Sequence, residues 1–168
     1  MTPAVILLGI VTVERLAELW LARRNTSALL AHGAFEVASG HYPLILALHT
    51  AWLAGLWMAG WASPINLIWL AVFLALQAGR IWVLATLGRR WTTRIIVLPD
   101  APLTVTGPYR YVSHPNYLVV IGEIAVLPLC LGLPWYALIF SIANLAVLAI
   151  RIRSENMALS ELRHAKSR

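Results

Sequence analysis

Apolar and polar positions fall in long blocks along this chain, without the short alternation of a soluble core. Five apolar stretches, roughly 3–22, 42–62, 65–88, 116–133 and 134–152, come close to the ~20 residues an α-helix needs to cross a bilayer core. Between them, 23–41 has scattered Leu, Phe and Val and reads as a short interfacial helix with a glycine turn. Residues 89–115, rich in Thr, Ile and Val and then punctuated by PDAP and TGP, predict extended chain and tight turns. Pro43 and Pro115 stand where helices should begin, Pro64 and Pro134 lie in the short outside turns, and Pro128 lies late in the fourth span and should kink or end it. The expectation is an all-α integral membrane fold of about five transmembrane helices, in a single domain over 1–168, with polar segments at 89–115 and 151–168.

Composition strengthens this picture: 60% of residues are hydrophobic, 12% are charged and eight are Trp, and the mean hydropathy is +0.76. The opening stretch has neither a basic leader nor a small-residue cleavage site, so it is expected to be a retained span and not a signal peptide. Thirteen basic against seven acidic residues are a balance compatible with a nucleic-acid partner, but their placement argues against one. Arg23 and Arg24 follow span one, Arg89, Arg90, Arg94 and Arg110 follow span three, and Arg151, Arg153 and Arg163 follow span five, while GWASPIN and LGLPW carry none. The positive-inside rule then predicts the N-terminus outside, the C-terminus in the cytoplasm, a bacterial inner membrane, and basic faces in contact with membrane lipids.

Several side chains resist the apolar pattern. Glu14 and Glu18 share one helical face, and Arg15, Gln77, Arg80, Glu123 and Asn144 lie within spans. Charge inside a bilayer is costly, so these groups should pair with one another or floor a polar pocket. His41 and His49 lie eight apart with no third ligand in sight, so no metal site is expected. The lone Cys130 reads as packing. Trp20, Trp61, Trp91 and Trp135 are expected at membrane boundaries; Trp52, Trp57, Trp69 and Trp82 should pack helices or line a lipid-chain pocket.

The segment GPYRYVSHPNYL at 107–118 combines a turn, two tyrosine faces and a histidine at the entrance of span four, and RIRSENMAL follows at 151–159. The first string resembles the G-x-Y-x-x-x-R-H-P-x-Y signature of the isoprenylcysteine carboxyl methyltransferase family, and the second resembles that family's closing Arg, Glu-Glu and Leu segment. The resemblance implies a membrane-embedded methyltransferase that uses S-adenosyl-L-methionine, bound by a loop and C-terminal helix on the cytoplasmic side. Carried over by position, Leu103, Thr104, Tyr109, His114, Pro115, Asn116 and Tyr117 hold the cofactor, Glu155 holds its polar end, and Arg151 faces the substrate. Two positions depart from the family: Ser113 stands for the usual Arg, and Asn156 for a second Glu.

The N-terminal pattern, ERLAELWLARRN and then GHYPLILALHTAWL, resembles a bacterial branch associated with type III polyketide synthases, which implies a lipophilic acceptor such as an alkylpyrone or alkyl phenolic lipid and a polyketide synthase as a working partner. An ionised pyrone needs only Arg151 to hold its oxyanion; for a phenol, His114 or Glu123 is the candidate base. Isoprenylcysteine carboxylate and phospholipid amine are the alternative acceptors. A small transporter or channel subunit is the non-enzyme alternative, and it requires polar residues through the full bilayer depth.

Overall fold

A computed structural model describes residues 2–37, 39–99, 101–102 and 104–166, with the side chains of 41, 156 and 158–166 outside that description. Five helices make the bundle: α1 (Pro3–Ala31), α2 (Tyr42–Gly60), α3 (Leu67–Leu87), α4 (Pro115–Cys130) and α5 (Pro134–Lys166). Each start has a local cause. The Thr2 hydroxyl accepts from the Val5 amide at 3.3 Å ahead of Pro3, and Asn66 Oδ1 accepts from the amides of Ile68 and Trp69 at 3.0 and 3.3 Å. Proline is the first residue of both α4 and α5, where no amide hydrogen is needed.

Hydrogen bonds define two ends of the bundle. At the turn end the Thr2 hydroxyl donates to the Trp61 carbonyl at 2.6 Å, and the Asn66 amide donates to the Cys130 carbonyl at 2.8 Å. At the opposite, basic end, the buried Asn25 of α1 donates from Nδ2 to the carbonyls of Gly88 and Trp91 at 3.2 and 2.9 Å. Helix α1 therefore runs the length of the bundle. Three stretches, Tyr42–Gly60, Leu67–Arg90 and Pro134–Glu155, are long and apolar enough to cross a membrane, and large apolar side chains such as Met58, Ile68 and Trp135 are exposed on the outer surface. The protein is an all-α membrane bundle.

Three expectations need correction. Span one does not stop at residue 22 before a separate interfacial helix: α1 continues through Arg23 and Arg24 to Ala31, because Asn25 docks on the loop after α3 and holds the helix past the arginines. Beyond it, β1 (Phe35–Glu36) pairs antiparallel with β2 (Ile96–Val97), joining the two polar segments, and Arg94 reaches Glu36 at 2.9 Å. The fourth span is shorter than expected: α4 has 16 residues, about 24 Å at 1.5 Å per residue. It closes two residues after Pro128, whose carbonyl accepts from the Leu131 and Leu133 amides.

Contact between helices is most extensive for α3 and α4, where Gly122 lies close against the Leu76 side chain. The main apolar core, including Leu8, Trp52, Leu56, Phe73, Ile124 and Leu127, fills the turn half, and a smaller cluster of Ala22, Val83 and Trp91 lies at the basic end. Helix α2 buries Trp52, Leu56 and Gly60 only, all in its turn half. Its first ten residues bury nothing, and a cavity opens beside them.

Candidate functional site

The intramembrane charges converge. Arg80, only 3% exposed, donates from Nε to Glu123 Oε1 at 2.7 Å and pairs through Nη2 with Glu123 Oε2, a two-pronged contact on a carboxylate that is also 3% exposed. Its Nη1 lies 3.2 Å from Glu18 Oε1. Arg15 completes the layer at 2.8 Å from Glu18 and 3.1 Å from Glu123. The Gln77 amide, turned with its nitrogen toward the carboxylates, donates to Glu14 at 2.8 Å and to Glu123 at 3.2 Å. Helices α1, α3 and α4 are thus tied by one ionic layer, as burial of charge demands.

Beside this layer lies a cavity of about 450 Å³, the size of a single drug-like ligand. Arg15, Glu18 and Arg80 form one wall, α2 supplies Ile45, His49, Trp52 and Leu53, and α5 supplies Asn144, Val147 and Leu148. Trp91, Thr93, Asn116, Tyr117 and Arg151 close the basic end. The lining is mostly apolar, with a few polar atoms at defined places. Outside the ionic layer, four of these are buried without a partner among the described residues: Trp52 Nε1, Trp91 Nε1, Asn116 Oδ1 and Asn144 Nδ2. Buried polar atoms are normally satisfied, so a wall with four orphans has the chemistry of a binding site.

The two motif blocks meet at Tyr117. Its ring stacks on His114 at 4.9 Å and 9°. Its hydroxyl donates to Glu155 Oε2 at 2.8 Å and accepts from Arg151 Nε at 2.9 Å, while Arg151 Nη1 donates to the Thr93 carbonyl at 2.8 Å. Pro115 is buried as the first residue of α4. Tyr109 packs against the Ala22, Val83 and Trp91 cluster; burial, with a smaller push from the nearby Glu155 carboxylate, holds its phenol above the ordinary tyrosine range. The preceding Gly107 turns at φ +56° against the Thr86 side chain, a conformation and a closeness that suit glycine.

Other expected residues stand apart. Leu103 lies outside the described residues, and Thr104 is half-buried on the loop with no hydrogen bond among them. The side chain of Asn156 is likewise outside the description, and Ser113 is exposed. Glu123 does not line the cavity: two arginines and Gln77 hold it inside the ionic layer. His114 is stacked on Tyr117 and is not on the cavity wall either. Trp20, Trp61 and Trp135 are exposed as boundary residues would be, but Trp91 is 3% exposed and lines the cavity, because Asn25 anchors its carbonyl against α1. Trp52 and Trp57 line the same cavity, while Trp69 and Trp82 face outward. Among the described residues no group of three metal-ligating side chains comes together.

Sequence reasoning did not find the cavity roles of Trp91, Thr93 and His49. A histidine in the middle of an apolar span is the signal for His49, which its spacing from His41 does not supply. The residues at Tyr117 have the chemistry an adenosyl amino-acid cofactor calls for: flat aromatic faces, a carboxylate for hydroxyl or ammonium groups, and the unpaired Asn116 Oδ1 as a further acceptor.

A family model described as the isoprenylcysteine carboxyl methyltransferase (ICMT) family matches residues 69–161. The match takes in both motif blocks and leaves out α1 and α2. The chain is 37% identical over 169 residues to an uncharacterized protein of Bacillus subtilis, YpbQ, covering 93% of this chain and 96% of that one. It is 30% identical over 156 residues to an uncharacterized protein of Haemophilus influenzae, covering 88% and 90%. No solved structure matches it.

Proposed function

Since the chain belongs to the isoprenylcysteine carboxyl methyltransferase family and folds as a membrane bundle, we propose that it moves a methyl group from S-adenosylmethionine to a hydroxyl of a lipophilic acceptor, an alkylpyrone or alkyl phenolic lipid. One observation carries this reading: Tyr117 is shared by both candidate sites, with its ring on His114, its hydroxyl between Glu155 and Arg151, and its place on the wall of an apolar cavity. Tyr109, His114, Asn116, Tyr117 and Glu155 hold the cofactor. The cofactor, when bound, supplies a methyl carbon activated by a sulfonium centre. The acceptor lies in the cavity against the apolar side chains of Ile45, Leu53, Val147 and Leu148, and Arg151 holds the oxygen that is methylated.

The acceptor oxygen loses its proton to water at the basic end and is held by Arg151 as an oxyanion, so residues that fix two ligands side by side supply most of the acceleration. Arg151, which lies on the wall outside the ionic layer that neutralises Arg15 and Arg80, favours an oxyanion over an ammonium head, which supports an oxygen acceptor over a phospholipid amine. The basic end faces the cytoplasm, where the cofactor is made, and a polyketide synthase is the class of enzyme that supplies such an acceptor. Binding of S-adenosylhomocysteine to detergent-purified protein tests the reading: wild type binds, and Glu155→Ala and His114→Ala bind at least tenfold more weakly. Lipid extracts from cells with and without the gene then differ by the mass of one methylene on an oxygenated lipid. Absence of cofactor binding, or a mass change on a prenylated peptide or an aminophospholipid, overturns it.

A further inference from the structure

We infer that His49, Trp52 and Asn144 form a second polar subsite in the cavity, shaped for a hydroxyl of the acceptor other than the one that receives the methyl. This rests on the functional reading above and narrows the acceptor to a ring with two hydroxyl groups.

The inference starts from a count of donors and acceptors. His49 Nδ1 lies 2.9 Å from the Ile45 carbonyl. A carbonyl only accepts, so the neutral imidazole carries its proton on Nδ1 and leaves a lone pair on Nε2. That nitrogen has no partner among the described residues. Trp52 and Asn144 are 2% and 4% exposed, and Trp52 Nε1 and the Asn144 Nδ2 amide are donors with nothing to donate to. The three side chains line one cavity. Trp52 follows His49 by three positions, which puts both on the same face of α2. Together they offer one acceptor and two donors, the complement of a hydroxyl, which has one O–H and two lone pairs.

The subsite is set apart from the end where the methyl is transferred. His49 is seven residues into α2 from Tyr42, and Asn144 is seven residues before Arg151 in α5, so both lie about 10 Å deeper along their helices. Arg151, with its long side chain reaching Tyr117 and Thr93, and a hydroxyl held at His49 thus bracket a ring lying lengthwise in the cavity. The ring carbonyl of a pyrone has lone pairs for Trp52 and Asn144 but nothing to give His49. A phenol with one hydroxyl leaves all three unpaired.

The test compares equilibrium binding of three probes with the same alkyl tail, an alkyl dihydroxybenzene, an alkylphenol and an alkyl hydroxypyrone, followed by titration calorimetry without cofactor. Wild type is expected to bind the dihydroxybenzene at least tenfold more tightly than either other probe, because a site built to bond a hydroxyl discriminates strongly against its absence. His49→Phe and Asn144→Leu should each bring that ratio below about threefold, with S-adenosylhomocysteine affinity kept as the sign of an intact fold. Equal binding of the dihydroxybenzene and the phenol by wild type, as a trapped water filling the subsite would give, overturns the inference. So does a ratio that survives both substitutions. Failure of the cofactor to bind wild type would instead count against the methyltransferase reading itself, and the subsite would fall with it.

Discussion

Removing either partner of the Arg80–Glu123 pair should have very unequal effects. The layer holds Arg15 and Arg80 against Glu14, Glu18 and Glu123. Arg80→Met leaves one guanidinium among three carboxylates, and strands the Glu123 oxygens that took both of its prongs inside a site 3% exposed. Breaking a buried pair in this way costs about 3–5 kcal/mol. Glu123→Gln instead leaves two arginines with two carboxylates, keeps an amide oxygen for Arg80 or Arg15, and leaves Arg80 its contact with Glu18 at 3.2 Å. The loss is then closer to that of one hydrogen bond to a charged group, about 1.5–3 kcal/mol. Reversible unfolding in mixed micelles of increasing dodecyl sulfate content measures both, and the double variant should show a coupling above about 0.5 kcal/mol because the residues touch. If Glu123→Gln proves as damaging as Arg80→Met, the charge count is wrong, and Glu123 has a role outside the ionic layer.

Two further outcomes are expected. Arg151→Lys should lower kcat/KM by ten- to a hundredfold while S-adenosylhomocysteine affinity changes by less than about threefold, because one ammonium does not reproduce a planar group that donates from Nε to Tyr117 and from Nη1 to Thr93; matched kinetics and calorimetry separate the two effects. Asn25→Ala leaves the Gly88 and Trp91 carbonyls without their donor and should cost about 2–3 kcal/mol in the same unfolding assay.

What could be read in advance, and what could not, divides along the range of the interactions involved. Helices α2, α3 and α5 follow from runs of apolar residues that no other structure accommodates in a membrane, and Pro115 marks a helix start through a purely local effect. The approach of the two motif strings was legible for a different reason: both resemble segments of one family, and in the structure Tyr117, stacked on His114 and bonded to Glu155, joins them. Contacts across sixty or so positions left no such mark. Nothing near Arg23 and Arg24 announces that α1 continues to Ala31, since the cause is Asn25 gripping the carbonyls of Gly88 and Trp91, and the pairing of Phe35–Glu36 with Ile96–Val97 depends on the same closure. The cavity is harder still to foresee, because it is a failure of packing. Helix α2 carries apolar side chains along both halves, yet only its turn half touches the core. Hydropathy cannot distinguish a helix half that packs from one that stands away, since lipid accepts either. The polar residues on that open half are a better sign: a bilayer gives His49 no reason to be there unless something else meets its free nitrogen.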